Sequence, residues 1–124
     1  MSSPYVKTSE KQGAWTWIKE RASAVALIPL TLWGVVMAVA IAGMSHGDAL
    51  AYMAQPVNAA VVALGLLVAI YHMHLGIRVV VEDYLRGPVE KLVLTLNALV
   101  CIGLALAGLV LVILIALGSA PAGA

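Results

Sequence analysis

Charge is scarce in this chain. Asp, Glu, Lys and Arg make up 10% of its 124 residues and hydrophobic residues 63%, whereas soluble domains carry about 25% charged and about half apolar residues. So short a chain cannot hide that much apolar side chain in one aqueous core, because small domains bury a limited share of their surface. The excess must face lipid. The other shortages exclude whole classes of function. There is no glycine-rich phosphate loop, and a net charge of +1 leaves no basic patch. A nucleotide-binding domain, a self-contained dehydrogenase and a nucleic-acid reader are therefore excluded. A single cysteine, Cys101, lies in an apolar run, so no disulfide framework, Cys-based metal site or iron–sulfur cluster is available. No internal repeat or low-complexity linker breaks the chain.

What is present is three uncharged stretches, Ala22 to Gly47, Ala49 to Ile77 and Leu92 to Ala124. Each exceeds the roughly 20 apolar residues that a spanning helix needs. Closed hydrogen bonding in lipid leaves only helices or barrels, and runs this continuous are not the alternating strands of a barrel. The expected architecture is an all-α membrane protein with three transmembrane helices, at 22–44, 57–81 and 92–117. They are separated by a tail (1–21), an outer loop (45–56), an inner loop (82–91) and a second tail (118–124). The first run is longer than the apolar core of a signal peptide and follows a long polar tail, so it reads as a span. Pro29 is expected to kink it.

Orientation follows from the cations. Lys7, Lys11, Lys19 and Arg21 precede the first span, and Arg78, Arg86 and Lys91 surround the connection between the second and third. None lies in 45–56 or in the C-terminal tail. All seven fall on one side, a strong positive-inside signal. It places the N-terminus in the cytoplasm, or the matrix if mitochondrial, and the C-terminus on the opposite, periplasmic side. Trp15 and Trp17 beside Lys19 and Arg21 suit the interfacial belt.

Polar residues are costly in lipid and therefore informative. At about 100° per residue, Gly65, Ala69, His72 and Gly76 share one face of the second span. Small residues let a neighbouring helix approach, or let a flat group lie against the backbone. Two readings of His72 stay open: a neutral histidine hydrogen-bonded to another helix, or an axial ligand of a haem. His74 lies about 200° round the helix and cannot share a ligand direction with His72. Its expected partners are a second helix or Arg78 one turn on. Asp83, eleven residues after His72, returns to nearly the same face about 16 Å further along. It and Tyr84 lie at the cytoplasmic interface, either as a helix-end acid and a belt tyrosine or as a site.

Arg21 opens the first span, where a cation opposes the macrodipole. Either lipid phosphate or a buried anion such as a haem propionate would explain it. His46 reads as a solvated loop histidine. Thr95 and Asn97 are expected to bond between helices. Gly34, Ala38 and Ala42, and Gly103 with Ala107, look like packing seams, and Cys101 like inert packing.

Taken together, His72, ten intervening residues and Asp83-Tyr84 resemble the H-x10-D-Y pattern of the D-type membrane anchor of succinate dehydrogenase, respiratory complex II. Arg21-Ala22-Ser23-Ala24 resembles that family's entry to its first helix, and the resemblance covers Trp15 to Leu117. It implies that His72 supplies one axial ligand to haem b, the second coming from a partner three-helix cytochrome b-type anchor, and that Gly76 gives the porphyrin room. It further implies that Tyr84 hydrogen-bonds a ubiquinone carbonyl, that Asp83 organises the site and its protons, and that Arg21 lies near the haem propionates. His74 receives no role. The implied partners are a flavoprotein subunit carrying FAD and an iron–sulfur subunit. The implied place is a bacterial inner membrane, in the electron transport of the tricarboxylic acid cycle. A fumarate reductase anchor oxidising quinol and a haem-free structural subunit are the alternatives. The chain is too small to be an enzyme alone and reads as the membrane part of one.

Overall fold

The structure, a computed structural model, describes the backbone of residues 4–118 and the side chains of 13–118. The side chains of Lys7 and Lys11 and the tail 119–124 lie outside the described residues. Four helices follow one another: α1 (Pro4–Ala42), α2 (His46–Ala54), α3 (Pro56–Tyr84) and α4 (Gly87–Ala116). Three are long and apolar enough to cross a membrane, over Gly13–Ala42, Pro56–Tyr84 and Gly87–Ala116. In the most apolar window of each, only 6% of the residues are buried inside the chain. Their side chains therefore face outward as they would in an apolar solvent. This is an all-helical, multi-pass membrane protein, as its composition demands.

Helix ends depart from the sequence reading. α1 does not start at residue 22 but continues through the charged segment before it, because Lys, Glu, Gln and Arg are good helix formers. Arg21 is consequently mid-helix and, contrary to the expectation from the sequence, does not oppose the macrodipole at a helix start. The helix also runs through Pro29 without interruption. The connection between the first two spans is not a plain loop: α2 forms within it, capped by Ser45, whose Oγ accepts from the Asp48 amide at 3.2 Å. This is the usual way to satisfy a free amide at a helix start. His46 is exposed in its first turn. The inner connection shrinks to Leu85 and Arg86, both extended. Gly87 then takes φ +70, a left-handed angle that glycine adopts without a Cβ penalty. Pro88 sits in the first turn of α4, where its missing N–H costs nothing.

α3 is the middle helix, packed against α1 on one side and α4 on the other. Against α1 the register is antiparallel and regular: Glu20 lies opposite Gly76, Ser23 opposite His72, and Leu30 opposite Gly65. Against α4, His74 meets Asn97, and Leu66 presses so closely on Gly108 that an added Cβ would stand 2.1 Å from its Cδ2. The close small-residue contact of α4 is thus at Gly108. Gly103, expected in a seam, has nothing within 4 Å of a Cβ, and Ala107 is exposed. Gly34, Ala38 and Ala42 are likewise exposed and pack no helix of this chain tightly. Among the described residues the buried set is small: Met37, Ala59, Leu75, Val81 and Cys101, with the polar Ser23, Asn58 and Asn97. Each buried polar side chain is hydrogen-bonded, as a lipid environment requires.

Candidate functional site

His72 sits half-buried in the middle of α3 and faces α1. Its Nδ1 lies 2.9 Å from the Oγ of Ser23, and that hydroxyl donates back to the Glu20 carbonyl in its own helix, also at 2.9 Å. Such a bond to the carbonyl one turn earlier is the common resting place for a serine inside a helix. Toward the outer end, Gly65 and Ala69 line an apolar cavity of about 360 Å³ between α1 and α3, together with Leu30, Gly34 and Met37. Toward the inner end, a Cβ at Gly76 would meet nothing nearer than Glu20 Oε1 at 3.9 Å. The small residues of the stripe therefore leave space on both sides of the imidazole.

The eleven-residue spacing has the expected result. Asp83, like His72, lies toward α1: it lines a polar pocket of about 420 Å³ with Thr16, Trp17 and Glu20 from α1 and Arg78 and Glu82 from α3. Asp83 itself is exposed at the mouth. Tyr84, about 100° further round, does not line that pocket and is 82% exposed at the last residue of α3. The sequence pair is therefore split between two directions, the acid into the pocket and the phenol outward.

Around this end the cations are engaged. Arg78 Nε donates to Glu82 Oε1 at 2.7 Å, one turn along α3. Arg86 donates to the Glu82 carbonyl. Lys19 and Arg21 lie over the rings of Trp15 and Trp17, at 5.6 and 5.3 Å from the centroids. Each is a cation–π pair one helical turn apart. Arg21 is exposed and meets Trp17, and no described contact joins it to His72.

The other side of α3 carries a second polar knot. Asn97 Nδ2 reaches both His74 Nδ1 at 3.1 Å and the His74 carbonyl at 3.2 Å. Cys101 Sγ donates to Asn97 Oδ1 at 3.6 Å. Of the two partners expected for His74, the second helix is the one found, since Arg78 is taken by Glu82. Asn97 bonds between helices as anticipated, but Thr95 does not: its hydroxyl donates to the Lys91 carbonyl in its own helix. Cys101 is buried and belongs to the knot rather than being plain filler. A third tie, from Asn58 Nδ2 to the Tyr52 carbonyl at 2.9 Å, fastens α2 to the start of α3.

Ser23 and Asn58 are the two residues that sequence reasoning missed in these roles. Ser23 carried a signal. It is a hydroxyl near the inner end of the first span, and an antiparallel second span brings the depth of His72 opposite it. Among the described residues no group of three or more His, Cys, Asp or Glu could hold a metal ion. A haem iron needs only one protein nitrogen per face, and an imidazole flanked by Gly65, Ala69 and Gly76 fits that requirement.

Comparisons with known proteins bear on the same span of chain. The succinate dehydrogenase hydrophobic membrane anchor subunit of Paracoccus denitrificans is 41% identical over 70 residues, which are 56% of this chain and 54% of that one. The protein of the same description in Rickettsia bellii is 27% identical over 77 residues, 62% of each chain. That of Rickettsia typhi is 27% identical over 79 residues, 64% of this chain and 63% of its own. The alignments thus span from about half to just under two thirds of these relatives' length. No solved structure matches. Residues 3–112 match the family described as the succinate dehydrogenase/fumarate reductase transmembrane subunit, and on that match, which takes in the first two spans and most of the third, the chain belongs to this family.

Proposed function

We propose that the chain is the D-type membrane anchor of a succinate:ubiquinone oxidoreductase in a bacterial inner membrane. In this reading it holds a flavoprotein and an iron–sulfur subunit at the cytoplasmic face, and packs against a second three-helix anchor. His72 would hold the iron of a haem b shared with that partner, Gly76 would give the porphyrin room, and Arg21 would serve its propionates. Asp83 and Tyr84 serve the ubiquinone site. The observation that carries the reading is the placement on one helix of an imidazole at mid-span and an Asp-Tyr pair at the charged end. The imidazole and the acid both lie toward α1, eleven residues and about 16 Å apart. All three relatives above are described as succinate dehydrogenase anchors, which favours succinate oxidation over the reverse reaction.

The chemistry asked of these residues is modest. Reducing a quinone by two electrons develops negative charge on its oxygens, and the Tyr84 hydroxyl at the helix end can donate to one of them. Two protons must come from water. Asp83, at the mouth of a polar pocket with Glu82 and Glu20, offers a carboxylate through which they pass. A haem b held by His72 would supply one-electron redox chemistry.

Tyr84→Phe tests the assignment in the assembled complex. Succinate–quinone activity is expected to fall about a hundredfold, the scale for removing one donor to a developing oxyanion, while dye reduction by the soluble subunits persists. Unchanged quinone activity, or parallel loss of both, defeats it.

A further inference from the structure

The two histidines of α3 differ in which nitrogen carries a proton, and the neighbouring helices decide it. Ser23 has one hydroxyl proton, and the Glu20 carbonyl, which can only accept, takes it at 2.9 Å. What Oγ offers His72 at 2.9 Å is therefore a lone pair, and the Nδ1 facing it carries the hydrogen. The lone pair of the ring is then on Nε2. At His74 the logic reverses. The side-chain atom of Asn97 that faces the His74 carbonyl must be the amide nitrogen, since an oxygen there would set acceptor against acceptor. That same nitrogen donates to His74 Nδ1 at 3.1 Å, so Nδ1 holds the lone pair and Nε2 the hydrogen. Turning His74 into the other tautomer would set N–H against N–H in a buried knot.

We propose that Ser23 is a positioning residue for metal ligation: by accepting from His72 Nδ1–H it presents Nε2 of His72 to the haem iron, while Asn97 holds His74 in the tautomer that cannot bind it. The inference rests on the haem reading above and adds the residues that assign the iron to one of two histidines. A ligating imidazole ordinarily donates its second N–H to a partner, which fixes the ring and raises its basicity, and losing that partner commonly costs about 10- to 100-fold in affinity. Here the partner is a hydroxyl from a different helix, itself buried and oriented by a backbone carbonyl.

The test compares Ser23→Thr with Ser23→Val in the assembled, detergent-solubilised complex. The two side chains have nearly the same shape, but only threonine keeps a hydroxyl able to bond back to the preceding turn. Haem transfer to excess apomyoglobin and the haem midpoint potential are the readouts. The Thr variant is expected to match the parent. The Val variant should hold haem about 10- to 100-fold more weakly. Its potential should move upward, because a less basic imidazole stabilises ferric iron less. A tenfold change in the ferric/ferrous equilibrium is about 59 mV for one electron. Ser23→Ala, hydroxyl-free without added bulk, must move both readouts the same way. Equal haem retention and equal potential in the Thr, Val and Ala variants overturn the role of Ser23. Persistence of a b-type spectrum in His72→Ala would instead overturn the haem reading, and the two failures are told apart by which variant shows them.

Discussion

The two sides of α3 solve the same problem with opposite results. On each, an imidazole inside a membrane helix meets a polar residue of a neighbour, Ser23 of α1 or Asn97 of α4. The α4 side closes the account locally: Asn97 is buried, both its amide hydrogens are used at His74, and Cys101 adds a thiol to its oxygen. Nothing polar is left over on Nδ1 for an outside group. The α1 side is different. Its hydroxyl takes one ring nitrogen of His72 and is itself tied to the Glu20 carbonyl, and no amide of a neighbouring helix meets the ring. Two histidines separated by one residue thus meet opposite chemistry at Nδ1, a hydroxyl oxygen in one case and an amide nitrogen in the other. The lesson concerns neighbours: the helix that carries a histidine says less about its use than the atom opposite its Nδ1.

The largest expected effect separates the two histidines themselves. In the assembled complex His72→Ala should abolish the reduced-minus-oxidised b-type spectrum, whereas His74→Ala should keep it. A spectrum surviving in the first variant, or lost only in the second, would exchange their roles. A smaller effect isolates the closed side. Asn97→Leu removes the interhelical amide and should destabilise the chain by about 0.6–2 kcal/mol, the range for such bonds in membranes. Denaturant unfolding in micelles would read the loss, and the haem spectrum should stay. The smallest effect contrasts two glycines on α4. Gly103→Ala, with open space at its Cβ, should stabilise by up to about 1 kcal/mol through helix propensity. Gly108→Ala must first push Leu66 aside, and overpacking of about 1 kcal/mol or more should cancel that gain. Comparing their unfolding midpoints, with Leu66→Ala as the relieving partner, would check it.

Much of this is legible in the amino-acid sequence. Continuous apolar runs identify spans because lipid leaves the backbone no alternative, and the His72-to-Asp83 spacing gives a shared face because helical periodicity holds over three turns. Three kinds of feature are not. Helix ends escaped because charge marks where lipid stops, not where a helix stops; Arg21 was misplaced at a terminus for that reason. The α2 helix escaped because nine residues are too few to show a helical period, and Ser45 before them reads equally as a turn residue or a cap. Partners escaped because a span's own sequence does not contain its neighbour's register. Thr95 and Asn97 are two residues apart on α4, yet one bonds within its helix and the other across, and only the packing angle of α3 decides which.

The three buried polar ties also govern how the protein meets membranes of different thickness. Ser23 joins α1 to α3, Asn97 joins α3 to α4, and Asn58 joins α2 to α3. Sliding any one span along another by a single turn would pull a polar group off its partner in a medium that offers no replacement. Hydrophobic mismatch therefore finds no soft coordinate between the helices. It must be absorbed by tilting the bundle as one body or by deforming the lipid around it, so that the depth of Ser23 relative to His72, and of Asn97 relative to His74, is set by the protein and not by the bilayer.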